Sequence, residues 1–234
     1  MRVCAHQPVY LPGAIFFNKV ALCDAIIFIG HVQLERNSWQ TRNRIRNNSS
    51  GGEMYLSVPV KTKNKSNQAI NDTEIANRQW TKKHLRSIEL TYSNTPFFEE
   101  YYPKLLDIME KPWTSLSEMN KEIIKEVMDW LGLSTAIQDS SDISWVGKKT
   151  EMLVSLAENV GAKEYVSNRG ASAYVEINKF AEAGIEHLWQ SFSSPIYDQG
   201  RENFVPDLSI IDMIFNLGPE ASRVIKECGT ISKN

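Results

Sequence analysis

The sequence has few cysteines, no long hydrophobic run and no excess of charge of one sign. Its three cysteines, Cys4, Cys23 and Cys228, are odd in number and far apart, which argues against a disulfide-stabilised fold and for the reducing cytoplasm. No segment approaches the roughly 18 apolar residues of a membrane span. His6 and Gln7 interrupt the N-terminal apolar run, so we expect no signal peptide. The net charge of −2 argues against a strongly basic nucleic-acid-binding protein.

Short motifs of several enzyme classes are absent as well. The sequence contains no GxxxxGK[ST] phosphate loop, no GxGxxG, no HExxH and no GxSxG. The histidines have no metal-ligand spacing; they are His6, His31, His84 and His187. We therefore predict no histidine-based metal site, whereas a site built from Asp and Glu stays open, and the sequence does not identify a cofactor.

The hydrophobic fraction of 42% and the charged fraction of 23% are typical of a globular protein. Residues 3–5 form a short apolar run, residues 14–23 suit a short helix, and residues 25–29 suit a buried strand. The order strand, helix, strand predicts a βαβ unit with parallel strands. We therefore expect an α/β fold with a mostly parallel sheet that this unit opens.

The middle of the chain is more helical than its two ends. Residues 81–131 are expected to form a helical insertion in an α/β body made of residues 1–80 and 132–234, within one compact domain. In the helix predicted over 116–131, Ser115 and Glu118 fit a capping box and Gly132 fits a C-terminal cap. A second helix is predicted over 97–109, where Pro103 should delay its start or kink it. The other predicted elements are strands over 54–60, 164–166 and 185–192 and helices over 148–160, 177–183, 207–217 and 219–228.

The first candidate site is residues 6–12 (HQPVYLP), which follow a predicted strand and so lie at the carboxyl edge of the sheet. Open α/β sheets bind ligands along that edge, and the N-terminus of the next helix would suit a phosphate there. His6 can transfer a proton, while Gln7 and Tyr10 offer hydrogen bonds. A rigid proline turn with a structural histidine explains the segment equally well.

A second polar group follows the second predicted strand, with Trp39 beside it; the group comprises Gln33, Arg36, Gln40, Arg42, Asn43 and Arg44. Arginine offers forked donors that match phosphate and carboxylate groups, and a tryptophan ring offers a stacking surface. A solvated basic face is the competing interpretation for any single arginine.

Lys61 follows the predicted strand 54–60 and could reach a phosphate or a carbonyl oxygen. Lys63 and Lys65 compete for the same role, so the spacing alone favours solvated lysines.

The last candidate segment runs from Tyr197 and Gln199 to Asp212, which falls in a helix otherwise made of Ile, Met, Phe and Leu. A carboxylate on such a surface needs a partner or stays protonated. Asp212 could orient His6 or an arginine or act as a base, and a structural salt bridge is the alternative. We predict that His6, Asp212 and the arginine-rich segment converge on one pocket.

Several of these segments together resemble the WbqC-like protein family. The resemblance rests on residues 6–12, Phe16-Phe17-x-Lys19, Asp24, Gln33, Arg42-Asn43-Arg44-Ile45, Val58-Pro59-Val60, Tyr197-Asp198-Gln199, residues 204–212 and Asn216-x-Gly218. It spans nearly the whole chain. One departure is Gly30-His31, where an acidic residue is expected after the second strand. If that acid has a catalytic or metal-binding role in relatives, His31 must replace it.

The resemblance implies a transferase of bacterial surface polysaccharide (O-antigen, lipopolysaccharide) biosynthesis. It suggests transfer of an acyl or aminoacyl group to the amine of a nucleotide-linked amino sugar, without naming the donor, and it leaves an oligomer open. From residue chemistry we assign His6 as the base or proton shuttle and Asp212 as its orienting partner. The residues expected to bind substrate are Gln7, Tyr10, Gln33, Arg42, Asn43, Arg44, Lys61, Tyr197 and Gln199.

Two other functions remain open from the sequence. The strand–His–Pro–helix–strand order is loosely similar to that of HIGH-type nucleotidyltransferases or adenylating enzymes, in which residues 61–65 would form a second phosphate clamp. Dependence on a nucleoside triphosphate and magnesium would identify that class. The third alternative is a non-catalytic protein that binds a nucleotide sugar.

Overall fold

The computed structural model describes residues 1–62 and 67–233, and in these residues two β-sheets are flanked by eight α-helices. The strands are β1 (Arg2–His6), β2 (Ala25–Phe28), β3 (Arg42–Asn47), β4 (Gly52–Ser57), β5 (Ala136–Asp139), β6 (Glu164–Asn168), β7 (Glu186–Phe192) and β8 (Gly229–Ser232). The helices are α1 (Ala14–Ala21), α2 (Gln79–Tyr92), α3 (Phe98–Met109), α4 (Leu116–Trp130), α5 (Thr150–Asn159), α6 (Ile177–Glu182), α7 (Ile210–Leu217) and α8 (Glu220–Glu227). The predicted α/β fold is confirmed.

The main sheet has the strand order β5-β2-β1-β6-β7-β8, and all of its pairs are parallel except β7 with β8. Strand β1 pairs with β2 from Val3 opposite Ala25 to His6 opposite Phe28, which confirms the predicted βαβ unit. From β1 the chain builds the sheet in one direction through β2 and β5, then in the other through β6 and β7. The order therefore reverses between β1 and β6, and such a switch point is where open sheets bind ligands.

The alternation of side chains along β1 places its residues on opposite faces of the sheet. Val3 belongs to a core cluster with Val154 of α5 and Phe180 of α6. Cys4 belongs to the larger cluster that contains Phe17 of α1. His6, two residues after Cys4, points to the α1 side, where its ring meets Phe16 edge-on at 4.9 Å between centroids.

The strands at both edges of the main sheet were not predicted. Strand β5 is half exposed and lacks a continuous apolar run, and β8 is a short antiparallel edge strand. Strand β3 falls in a polar stretch that was not assigned as a strand, and it forms a two-stranded antiparallel sheet with β4. Strand β4 starts and ends earlier than the predicted 54–60.

Helices α2, α3 and α4 occupy the segment expected to be a helical insertion and share a core with α1 and α7. Ser115 accepts a hydrogen bond from the Glu118 backbone N–H at 3.3 Å, and Gly132 adopts φ of 58° after α4, so both predicted caps are confirmed. Helix α3 starts at Phe98 and runs through Pro103, so the expected delay is wrong. Pro103 has no backbone N–H to donate to the Glu99 carbonyl. Both residues are exposed, so water can hydrogen-bond that carbonyl instead.

Helix α7 begins at Ile210, and the start predicted at Asp207 is wrong. Asp207 has a positive φ of 55°, and its Oδ1 accepts a hydrogen bond from Ser194 Oγ. The Ser209 N–H donates to the Arg44 carbonyl and the Ile210 N–H to the Pro12 carbonyl, at 2.8 and 2.9 Å. These long-range bonds hold the segment extended. Among the described residues, no helix combines the length and the apolar composition that crossing a bilayer requires.

Candidate functional site

A cavity lies at the carboxyl ends of β1, β2 and β6, at the switch point of the sheet. Its volume is about 1050 Å³. Its walls come from the ends of those strands and from the segment that enters α5; polar and charged lining residues are His6, Gln7, Lys19, His31, Gln33, Glu35, Lys148, Lys149, Thr150, Ser167 and Asn168. The cavity is therefore placed where the fold predicts a ligand, and three predicted site residues line it, namely His6, Gln7 and Gln33.

His6 has a fixed tautomer in this cavity. Its Nδ1 lies 2.8 Å from the Gln7 carbonyl oxygen, and because a carbonyl oxygen only accepts, Nδ1 carries the hydrogen. The Nε2 atom is then left with a lone pair. Burial, and secondarily the charge of Lys19, lower the pKa of His6 to about 3. The imidazole is thus neutral at physiological pH and can accept a hydrogen bond or a proton at Nε2.

Two glutamines are tied to the loops around the cavity. The Gln7 Oε1 atom accepts a hydrogen bond from Gln40 Nε2 at 2.5 Å, and Gln40 Oε1 in turn accepts one from the Glu35 backbone N–H. Gln33 Nε2 donates to Asn67 Oδ1 at 3.0 Å. These bonds hold both glutamines against the cavity wall, so their orientation is set before a ligand binds.

His31 forms part of the wall, with both ring nitrogens engaged. Its ring stacks on Trp145 at 4.2 Å between centroids, Nδ1 lies 2.7 Å from Ser140 Oγ, and Nε2 lies 2.9 Å from Met152 Sδ. Burial lowers the pKa of His31. Because both ring nitrogens have a contact, His31 offers no free nitrogen in place of the expected acidic residue.

The N-terminus of α5 faces the cavity and was not anticipated as part of the site. Gly147 and Lys149 have positive φ values of 82° and 54°, and Thr150 Oγ1 accepts a hydrogen bond from the Glu176 backbone N–H at 3.1 Å. Lys148 and Lys149 are exposed on the cavity wall. The signal in the sequence was Gly147-Lys148-Lys149-Thr150 at the start of a predicted helix.

The N-terminus of α1, by contrast, does not line the cavity, so the anion site predicted there stays a prediction outside this cavity. Gly13 forms a β-bridge with Ser209, and a Cβ at Gly13 would lie 2.9 Å from the Leu208 carbonyl oxygen. The segment before α7 therefore packs against the start of α1, where Ala14 lines a smaller pocket.

Lys19, on α1, is the buried cation of the cavity. Its side chain is only 3% exposed, and its Nζ lies 3.4 Å from the Ala5 carbonyl oxygen. Burial lowers the pKa of Lys19. No role was predicted for Lys19, because the direction of its side chain depends on how α1 packs on the sheet.

The charged residues that line the cavity are three lysines and one glutamate, namely Lys19, Lys148, Lys149 and Glu35. The formal net charge of this lining is +2, while that of the whole chain is −2. The cavity therefore concentrates positive charge and favours an anionic ligand. Within the described residues, no three His, Cys, Asp or Glu side chains are grouped to hold a metal ion.

Asp212 lies in a separate buried group, the Asp212 cluster, formed with Tyr92, Tyr197 and Gln199. Its Oδ2 accepts a hydrogen bond from Tyr92 at 2.9 Å, and Oδ1 accepts one from Tyr197 at 2.7 Å and one from Gln199 Nε2 at 3.0 Å. Burial raises the pKa of Asp212, and the three donors oppose that shift. Asp212 does not line the cavity, so the predicted convergence with His6 is wrong, and the Gln7 carbonyl orients His6 instead.

Tyr10 and Asn43 shape the loop after β1 and do not face the cavity. The hydroxyl of Tyr10 is 2.9 Å from His84 Nδ1, and Asn43 Nδ2 donates to the carbonyls of Tyr10 and Leu11 at 3.2 and 2.7 Å. Leu11 has a positive φ of 43°, which these bonds stabilise. Neither residue lines the cavity, and their contact with substrate stays a prediction.

The predicted cations of the second segment also lie outside the cavity lining. The Arg42 guanidinium lies over the Tyr55 ring at 4.6 Å. Arg44 pairs with Glu53 at 2.7 Å and donates to the Asp207 carbonyl.

Lys61, the remaining predicted cation, pairs with Glu74 at 2.6 Å and does not line the cavity. Lys63 and Lys65 fall outside the residues that the structure describes.

Comparisons with known proteins agree with the resemblance noted from the sequence. The model of the WbqC-like protein family matches residues 7–224. The chain is 33% identical over 229 residues to a Mycobacterium tuberculosis (strain ATCC 25618 / H37Rv) protein described as "Uncharacterized protein Rv1507c", covering 97% of this chain and 98% of that protein. No solved structure matches the chain. The chain belongs to the WbqC-like protein family.

Proposed function

We propose that the protein is a cytoplasmic transferase of bacterial surface-polysaccharide (O-antigen) biosynthesis. In this proposal it transfers an acyl or aminoacyl group to the amine of a nucleotide-linked amino sugar. The observation that carries the proposal is the cavity at the switch point, whose lining has a formal charge of +2. A nucleoside diphosphate joined to a sugar carries a negative charge on each phosphate, and the volume of about 1050 Å³ is large enough for such a ligand.

His6 supplies the acid–base group of the proposed reaction. The sugar amine attacks the acyl carbonyl, a C–N bond forms, and the bond from the acyl carbon to its leaving group breaks with its electron pair. The nitrogen loses its proton to Nε2 of His6, which then passes it to the leaving group. Because the nitrogen is cationic after attack, it is far more acidic than a free amine, and even a weakly basic imidazole can take this proton.

The neighbouring glutamines supply orientation in this mechanism. Gln7 and Gln33 offer amide donors and acceptors on the same wall as His6, and they are held by Gln40 and Asn67. Hydroxyl groups of a sugar are matched by such paired donors and acceptors. The acceptor amine would thus be fixed against His6, which removes much of the entropic part of the barrier.

The proposal is tested with a panel of nucleoside-diphosphate amino sugars, each paired with the sugar that carries a hydroxyl in place of the amine. The sugars are incubated with acyl and aminoacyl donors, and mass spectrometry follows the mass of the nucleotide sugar. We expect one amino sugar to gain an acyl group and its hydroxyl partner to gain none. His6→Asn should reduce turnover by about 100-fold or more while nucleotide binding persists, because it removes the base and keeps a polar side chain.

Three results would contradict the proposal. If no nucleotide sugar of the panel raises the melting temperature of the protein, nucleotide sugars are excluded as its ligands. Consumption of a nucleoside triphosphate with release of pyrophosphate would indicate a nucleotidyltransferase or adenylating enzyme. Binding without turnover, together with a His6→Asn variant that still supports glycan synthesis in cells, would indicate a non-catalytic binding protein.

A further inference from the structure

The amine of Lys19 is buried, and no carboxylate of the described residues lies within ion-pair distance of it. Its side chain is 3% exposed, and the Ala5 carbonyl oxygen is 3.4 Å from Nζ. Hydrogen bonds from an ammonium to an oxygen are usually about 2.7–2.9 Å long, so this contact is weak. In residues 1–62 and 67–233, no carboxylate forms an ion pair with Lys19, and the titratable groups that face it are His6, Cys4 and Cys23.

An unpaired buried charge destabilises the fold that contains it. The imidazole of His6 is neutral because burial lowers its pKa. A hydrogen bond from Cys23, and secondarily the charge of Lys19, lower the pKa of the Cys4 thiol, whereas the bond to Cys4 raises the pKa of Cys23. Cys4 is thus a weakly acidic neighbour of Lys19 and a poorer partner for it than a carboxylate or a phosphate. Lys19 therefore contributes little to the stability of α1. The side chain does, however, line the large cavity beside His6, where a ligand can supply the missing negative charge.

The fold places Lys19, and not the start of α1, in the wall of the cavity. In open α/β sheets the N-terminus of the first helix commonly binds a phosphate. Here the Ile210 N–H donates to the Pro12 carbonyl, Ser209 bridges to Gly13, and the first residues of α1 do not line the cavity. Lys19 lies further along the same helix, and its side chain does line the cavity.

We propose that Lys19 is a phosphate-binding residue, and that its ammonium pairs with a phosphate group of the ligand next to His6. The proposal rests on the proposed function only for the class of ligand, a nucleoside diphosphate, and not for the reaction. Lys148 and Lys149, on the wall formed by the start of α5, would complete the neutralisation of the diphosphate.

The test uses the full chain and isothermal titration calorimetry with three probes: uridine diphosphate, inorganic pyrophosphate and uridine. Lys19→Met removes the charge and keeps the length of the side chain, and Lys19→Arg keeps the charge. Lys125→Met is the control, because Lys125 is exposed on α4 and lies outside the cavity. The melting temperature of each variant without ligand is measured in parallel.

We expect Lys19→Met to weaken the binding of uridine diphosphate and of pyrophosphate by about 30-fold or more. Lys19→Arg and Lys125→Met should stay within about fivefold of the wild type, and uridine should bind equally to all. Without ligand, Lys19→Met should melt at the same or a higher temperature than the wild type, because the unpaired charge is gone. A purely structural lysine would show the opposite pattern, with loss of stability and unchanged affinity of the folded protein.

The proposal is overturned if Lys19→Met binds pyrophosphate as tightly as the wild type, or if the wild type binds uridine diphosphate no more tightly than uridine. A Lys19→Met protein that does not fold also contradicts the argument from the buried charge. In that case Lys19→Gln carries the same affinity comparison. Lys19-dependent pyrophosphate binding without any acyl transfer would refute the proposed function and leave the phosphate site standing.

Discussion

The cavity at the carboxyl edge and the Asp212 cluster both bury charged or polar groups, and they differ in how those groups are satisfied. In the Asp212 cluster both carboxylate oxygens accept hydrogen bonds, from Tyr92, Tyr197 and Gln199. In the cavity, Lys19 has one long contact and His6 keeps a lone pair at Nε2. The hydrogen-bonding groups of the Asp212 carboxylate are satisfied within the protein, whereas those of Lys19 and His6 would be satisfied only by a ligand.

This difference separates buried polar groups that hold a fold from those that serve a site. A satisfied network fixes elements that are distant in sequence, here α2, α7 and the segment that carries Tyr197 and Gln199. Removal of one member leaves the others without a hydrogen-bond partner, so the free energy of unfolding decreases. A buried group that is satisfied only by a ligand destabilises the free protein. Substitution of that group lowers the affinity for the ligand without lowering the stability of the free protein. The predictions below are measurements that separate these two outcomes.

The largest expected effect is that of Asp212→Ala. It removes the shared acceptor of three buried donors and leaves a cavity, so we expect a loss of about 3–5 kcal/mol in the free energy of unfolding, measured with urea. Asp212→Asn keeps one oxygen and the shape, and it should lose less. The folded fraction of both variants should bind uridine diphosphate like the wild type. A stable Asp212→Ala protein that binds normally but has no turnover would restore the catalytic role predicted for Asp212.

Acid should destabilise the protein through its buried histidines. Burial lowers the pKa of His6 to about 3 and that of His84 to about 4, both below the ordinary 6.5. Between those values the unfolded state binds protons that the native state does not, so stability falls as the pH drops below about 6.5. Asp212 acts in the opposite direction, since burial raises its pKa.

At about pH 5 each of the two histidines should lower the free energy of unfolding by about 2 kcal/mol at most. The measurement is urea denaturation at about pH 7.5 and about pH 5 for the wild type, His6→Asn and His84→Gln. Each variant should lose part of the acid sensitivity, while His31 and His187, whose pKa values burial also lowers, keep their contribution. An acid sensitivity in both variants equal to that of the wild type would show that these two imidazoles are not the source of the effect.

The two glycines at the ends of α5 give a matched pair. Gly147 and Gly161 both have positive φ, but a Cβ at Gly147 would lie 2.6 Å from Glu151 Cβ, whereas one at Gly161 has open space. Gly161→Ala should lose about 1 kcal/mol of stability and Gly147→Ala about 2–3 kcal/mol. Because Gly147 sets the entry of α5 at the cavity, Gly147→Ala should also weaken uridine diphosphate binding about fivefold. Equal affinities in the two variants would show that the start of α5 does not contact the ligand.

The part of the fold that could be predicted is the part whose signal is local. The run over 25–29 is apolar throughout and therefore predicted a buried strand. Ser115, Glu118 and Gly132 predicted the two ends of α4. Strand β5 is half exposed, and its pairing with β2 is a long-range contact. No local pattern predicts such an edge strand.

The site was predictable to the same extent. His6 and Gln7 follow a strand directly, so their place at the sheet edge followed from chain order. The direction of Lys19 depends on the packing of α1, and the partners of Asp212 come from α2 and from the segment before α7. Both depend on tertiary contacts, so residue chemistry alone placed Asp212 in the wrong group and left Lys19 without a role.

The smallest effect is expected for Arg44, which the sequence favoured as a phosphate ligand. Its ion pair with Glu53 is partly exposed, so Arg44→Ala should lose about 1 kcal/mol of stability or less, and Glu53→Ala a similar amount. Because Arg44 does not line the cavity, uridine diphosphate should bind to Arg44→Ala as it does to the wild type. A tenfold weaker binding, about 1.4 kcal/mol, would show that the phosphate lies near Arg44 and not in the cavity. The contrast between a cavity that binds the ligand and a surrounding region that only stabilises the fold would then be wrong.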